Sequence, residues 1–259
     1  MVAHADLRPP RVCRSIRVNQ EPNVSTTALS CGNVDRTARP SGHGVRWFDV
    51  PATPGRADVD SLLAGLEGRL LVHGTDADLA AVVLRLLRKD RIAHVEVGYV
   101  PVAESPATRL YGLATGDAGF EQALHGAVRP VPLIRDDSGG VLVASGVVEP
   151  ITGQVYCDDQ QVLNGSALRM EVAPDPDAAP LPEPTSDPLS AMLEPASDGI
   201  RVTTTRRAFL RRREEVVRGR ALQASFRSAT VVRDGVAHPR PAEKWGWYRH
   251  TEDLRLASG

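Results

Sequence analysis

Between Asp58 and Pro101 the chain alternates between two hydrophobic periods, and this constrains the fold more than any other feature. Val59, Leu62, Leu63 and Leu66 recur at helical spacing and stop at Gly68. Leu70-Leu71-Val72 is a short unbroken apolar run, as a strand covered on both faces requires. The run breaks at Gly74. Leu79, Val82, Val83, Leu86 and Leu87 then share one helical face, and residues 92–100 alternate as a strand ending at Pro101. Helix, strand, turn, helix and strand within about 45 residues predict an α/β layer with a parallel sheet, laid out like a nucleotide-binding lobe.

The pattern changes after about residue 128. Short β-prone runs at 130–135, 139–149, 154–158, 168–173, 200–204, 220–226, 229–233 and 252–257 are separated by Gly, Pro, Asn and Asp. Closely spaced strands without intervening helices predict a β-sandwich. The expected fold class is therefore α/β plus β, with an α/β lobe over 47–128 and a β-sandwich lobe over 129–259. Within the second lobe, 173–199 holds seven prolines and six acidic residues with no basic one, the composition of a disordered, solvated loop. Residues 201–220 follow with eight arginines against Glu214 and Glu215.

Residues 1–46 have no sustained period, are interrupted by Pro9, Pro10, Pro22 and Pro40, and carry a net charge of +4. A disordered tail is expected there; a start codon assigned too far upstream leaves the same signature. Across all 259 residues Lys plus Arg is 31 against 32 for Asp plus Glu, so overall charge implies no polyanionic partner. Scattered arginines form no recognisable nucleic-acid module. Cys13, Cys31 and Cys157 fit neither a disulfide framework nor a common zinc pattern. No apolar run reaches the roughly 20 residues of a membrane helix, and the first 30 residues lack a signal-peptide core. The expected compartment is the cytosol, with peripheral membrane contact left open. Oligomeric state is not legible.

The most pointed local signal is His73-Gly74-Thr75-Asp76-Ala77-Asp78-Leu79. A glycine turn opening a helix after a buried strand aims free N–H groups and the helix dipole at an anion. Thr75 or Asp76 can equally be an ordinary helix cap. Asp234-Gly235 reads as a turn between strands. The cluster Trp245, Trp247, Tyr248 and His250 reads as cover for a sandwich edge.

A strand, then Gly74-Thr75-Asp76-Ala77-Asp78, then an apolar helix resembles the Gly-Gly-Asp-Gly-Thr turn of the diacylglycerol kinase and NAD kinase superfamily. The turn Val100-Pro101-Val102-Ala103-Glu104-Ser105-Pro106 stands where that superfamily has Pro-x-Gly-Thr-x-Asn-Asp, and Asp234-Gly235-Val236 where it has Asp-Gly-Glu. The resemblance runs from about residue 69 to 257 and implies an ATP- and Mg²⁺-dependent transfer of phosphate to a lipid or other alcohol. Gly74, Thr75 and Asp76 are then the cofactor-binding residues, Asp76 and Asp78 the metal ligands, and Asp234 the base. Arg206, Arg207, Arg211, Arg212 and Arg213 become contacts for phosphate, lipid or an anionic membrane surface, although a solvated face fits the same residues.

The departures favour a second reading. Thr75 narrows access to the backbone, Ala77 lacks glycine's freedom, and Asp78 puts a second carboxylate where a phosphate belongs. Magnesium between Asp76, Asp78 and the phosphates becomes a condition for nucleotide binding. The second reading is a catalytically inactive relative, a nucleotide-, lipid- or protein-binding module.

Overall fold

The computed structural model describes residues 26–32, 44–181, 198–208 and 211–258. In chain order the first half contains β1 (Thr26–Cys31), β2 (Val45–Val50), α1 (Arg56–Leu63), β3 (Gly68–Gly74), α2 (Asp76–Arg88) and β4 (Val95–Pro101). It continues with α3 (Pro106–Tyr111), α4 (Gly116–His125) and β5 (Val128–Val131). Next come β6 (Ile134–Asp136), β7 (Val141–Leu142), β8 (Gly146–Val148), β9 (Ile151–Cys157), β10 (Gln160–Ala167) and β11 (Arg169–Pro174). The chain then runs through β12 (Ile200–Ala208), β13 (Arg211–Gly219), β14 (Ala221–Ala229) and β15 (Val231–Arg233). It closes with β16 (Val236–Ala237), β17 (Ala242–Arg249) and β18 (Leu254–Ala257).

The first sheet has the order β2-β1-β3-β4-β18-β5. All its pairings are parallel except β18 with β5. Leu70 and Val72 point to one face, where α1, α2 and α3 bury Leu63, Leu79, Val83, Leu86 and Tyr111. Leu71 and Val100 point to the other, against Phe120 and Ala123 of α4. Gly98 makes that close approach possible: a Cβ there would lie 2.3 Å from the Ala123 carbonyl oxygen.

Two six-stranded sheets form the second lobe, ordered β10-β9-β14-β17-β6-β7 and β13-β12-β11-β8-β15-β16. Their inner residues merge in one core, with Val155, Leu222 and Trp247 from the first and Val148, Val172 and Val202 from the second. The α/β lobe followed by a β-rich lobe is thus as the sequence predicts.

Four expectations need correcting. Thr26–Cys31, inside the predicted tail, is a strand of the parallel sheet, pairing with β2 and β3 and burying Ala28, Leu29 and Cys31. Covered on both faces and only six residues long, it has no alternation to reveal it. Residues 1–25 and 33–43 of that expectation lie outside the described residues. The run 252–257 contributes β18 to the first sheet, and β5 joins it there, so the lobes do not divide cleanly at residue 128.

Third, Trp245 and Trp247 do not cover an edge. They stand on β17, inside its sheet, and are buried in the sandwich core, while Tyr248 faces outward. Last, the predicted loop 173–199 begins and ends under restraint. Arg218 pairs with Asp175 at 2.7 Å, and the buried Arg249 binds the carbonyls of Ala179 and Asp198 together with Asp253. The stretch 182–197 lies outside the described residues.

Candidate functional site

Strand β3 runs buried between β1 and β4 and delivers its end, Gly74, to the start of α2. Thr75 is the extended N-cap, and Asp78 completes a capping box with it. The Asp78 carboxylate faces the turn. Its Oδ2 accepts from the Thr75 N–H and the Thr75 hydroxyl, both at 2.8 Å, and its Oδ1 accepts from the Thr53 N–H at 2.7 Å. Thr53 has φ +46°, a left-handed conformation that a β-branched residue rarely adopts. Gly74 is required for a related reason, since a Cβ there would stand 2.6 Å from Asp78 Oδ2. The turn is a capped helix start, and the chain's own Asp78 carboxylate takes the N–H groups that an anion was expected to meet there.

Asp76 points the other way, into the sheet. Its Oδ1 accepts from Tyr99 Oη at 2.9 Å and Ser105 Oγ at 2.7 Å, and its Oδ2 accepts from the Ala107 N–H at 3.1 Å. Burial, with Asp76 adding to it, pushes the Tyr99 phenol far up, so it stays a neutral donor. Ser105 is also the N-cap of α3, ahead of Pro106. The two turns singled out in the sequence therefore meet through Asp76. Thr53, Tyr99 and Ser105 escaped the sequence reading, although Ser105-Pro106 is a legible helix start.

Asp76 and Asp78 were expected to share a cation. Each carboxylate instead has three internal donors, and among the described residues no group of three or more His, Cys, Asp and Glu is placed to hold a metal. These residues do not fit magnesium.

Asp234 follows β15 in the turn to β16 with φ +44°, and Gly235 comes next at φ +84°. Its carboxylate is buried and accepts from the N–H groups of Val143, Ala144 and Ser145 at 2.8–3.0 Å. Burial pushes its carboxyl up to about 7 against the pull of those three donors, and Asp76 adds to the rise. Ala77, Ala80, Ala81, Arg233, Asp234 and Val236 help to line a cleft of about 150 Å³ between α2 and the sandwich. The structure thus brings Ala77 and Asp234 to one cleft, whereas Gly74, Thr75, Asp76 and Asp78 are not among its walls.

The fold places the protein. It superposes on a diacylglycerol kinase from Bacillus anthracis with a TM-score of 0.57, covering 91% of this chain and 97% of that one at 10% identity. The fold is that of the diacylglycerol and NAD kinases. An NAD kinase from Archaeoglobus fulgidus in complex with ATP matches with a TM-score of 0.51, covering 90% and 94% of the two chains at 14% identity. Yeast NADH kinase complexed with NADH matches at 0.53, covering 92% and 84% at 10% identity. No family model and no curated protein matches the sequence.

Relative to that kinase-like fold, the five arginines lie away from the α2 turn, on the β12–β13 hairpin. Arg206 donates to the Val162 carbonyl at 2.6 Å and lies 4.0 Å from Glu215. Arg207, Arg211, Arg212 and Arg213 form no ion pair among the described residues. None of the described helices is long and apolar enough to cross a membrane.

Proposed function

We propose that this chain is a binding protein built on the kinase-like fold, working by association and not by phosphoryl transfer. The observation that carries this reading is Asp78. It takes the backbone N–H groups of Thr75 and Thr53 that a phosphate would need, and adds a negative charge there. Asp76 is equally committed to internal donors, so the Asp76–Asp78 pair is not free to bring magnesium to a nucleotide.

The test is isothermal titration of ATP, with and without MgCl₂, together with an ATP-turnover assay. The wild type should show neither binding nor turnover. Asp78→Ala should gain ATP binding worth about 1–3 kcal/mol, because it frees two N–H donors and removes a nearby like charge. Turnover by the wild type with a lipid or other alcohol acceptor would overturn the proposal.

One observation favours the second reading, phosphotransfer to such an acceptor. Asp234 lines the cleft with its carboxyl pushed up to about 7, where a carboxylate is suited to accept a hydroxyl proton. Under that reading, turnover appears in the wild type, rises through pH 7 and is lost in Asp234→Asn.

A further inference from the structure

A groove of about 520 Å³ lies on the outer face of the sheet that holds β9, β14 and β17. Along β14, Leu222, Ala224 and Phe226 enter the sandwich core, which turns Ala221, Gln223 and Ser225 outward to form the floor. Tyr156 of β9 and Tyr248 of β17 stand on either side of this floor, both exposed. Each ring is held from its outer side by the residue opposite it on the next strand. Gln161 donates to Tyr156 Oη at 2.7 Å, and the Arg135 guanidinium lies 5.8 Å from the centre of the Tyr248 ring. By the register, the tyrosines are two strands apart and two residues out of step. Strands about 4.8 Å apart and rising about 3.4 Å per residue separate them by roughly 12 Å.

An antiparallel sheet shows a polar face to solvent as a matter of course, and that alone needs no ligand. Gly246 does not follow from it. This residue lies inside β17, its φ is not left-handed, and a Cβ there would meet nothing closer than Asp137 Oδ2 at 3.6 Å. Neither backbone conformation nor packing calls for glycine, which weakens a strand. What its absent side chain does is keep the groove open between Gln223 and the Asp137 carboxylate.

From this geometry we infer that the groove is a binding site for a neutral oligosaccharide. A pyranose presents C–H bonds on its faces and hydroxyls around its edge, so it stacks on the electron-rich face of a tyrosine while its rim seeks hydrogen bonds. Gln154 and Gln223 each offer a donor and an acceptor to such hydroxyls, Asp137 accepts and Lys244 donates. Two platforms so far apart call for several linked sugars. Arginine, the chain's commonest charged residue, is absent from the walls, which argues against a phosphate-bearing ligand. A peptide added as a strand is unsuited as well, because β9, β14 and β17 are all paired on both sides and expose no backbone ladder. A proline-rich peptide would need an apolar slot where the Gln223 amide stands. The groove shares no residue with the cleft at Asp234, and its role does not depend on whether that cleft is catalytic.

The experiment is isothermal titration of the full chain with cellohexaose, maltohexaose and mannohexaose. At least one should bind, with an affinity that salt leaves unchanged because the ligand carries no charge. Tyr156→Ala and Tyr248→Ala should each weaken that binding about tenfold. Tyr156→Phe and Tyr248→Phe should keep most of it, since stacking needs the ring and not the hydroxyl. Gly246→Ile should abolish binding while the thermal midpoint holds or rises, because its Cβ has room and a β-branched residue favours a strand. Leu168→Ala/Val216→Ala, which removes apolar side chains exposed elsewhere on the sandwich, should bind as the wild type. Four results would each overturn the inference: no binding of any of the three sugars, equal loss in that control, binding that falls as salt is raised, or a deca-proline peptide that binds and is lost in Gly246→Ile.

Discussion

Burial and hydrogen bonding pull the Asp234 carboxyl in opposite directions, and burial prevails. With a folded-state value of about 7 against an ordinary 3.8, the folded chain holds a proton that the unfolded chain has lost. The stability this contributes is complete below about pH 4 and disappears as pH rises to about 7. Urea unfolding should therefore give a free energy that falls by a few kcal/mol between those limits, with a flat profile for Asp234→Asn. That variant also leaves the Val143 N–H without its carboxylate acceptor, at about 1–3 kcal/mol. A slope unchanged by the substitution would assign the titration to another group. The sequence locates the Asp234-Gly235 turn, but not the return of its carboxylate to the Val143 backbone 91 positions earlier. Thr53 is hidden for the same reason: nothing in Pro51-Ala52-Thr53 announces a left-handed residue whose N–H finds Asp78. A residue's type is local information, whereas its acceptor is chosen by tertiary contact.

Helix α4 meets β4 at a surface with no space for a side chain. At Gly98 a Cβ would stand 2.3 Å from the Ala123 carbonyl oxygen and 2.6 Å from the Leu71 side chain, and the backbone contact cannot yield by a rotamer change. Gly98→Val should therefore cost at least about 1–3 kcal/mol and lower the thermal midpoint, as overpacking does. Gly65→Ala, where no heavy atom lies within 4 Å, should leave it near the wild-type value. Equal midpoints for the two would mean that α4 is loosely held. At this scale β3, α2 and β4 were legible because the chain changes period at each boundary, and β1 was not because six residues covered on both faces carry no period. Helices α3 and α4 were missed as well. Six and ten residues with few apolar side chains give little signal, and packing does the work that propensity does not.

Strand β18 ties the molecule together. The chain completes both sandwich sheets before returning to seat Leu254, Leu256 and Ala257 between β4 and β5. A chain lacking residues 252–259 should lose about 2–5 kcal/mol for each buried leucine, a large part of the 5–15 kcal/mol typical of a domain. Near-ultraviolet circular dichroism of that variant should show the α/β lobe disordered, and the intact chain should unfold in one transition. Retention of the wild-type midpoint after the truncation would show that the sheet closes without β18. The order of lobes was readable in the sequence, but this return was not, because a four-residue run near Leu254 is equally compatible with either sheet. The return also has a consequence for biosynthesis. A ribosome releases β1 to β5 long before β18, so the nascent parallel sheet has an open slot between β4 and β5 until nearly all the sandwich has been translated. During that interval the slot presents unpaired backbone and apolar residues to chaperones, proteases and neighbouring chains. A message that stops early therefore yields more than a shortened sandwich: it leaves the first lobe permanently unfinished.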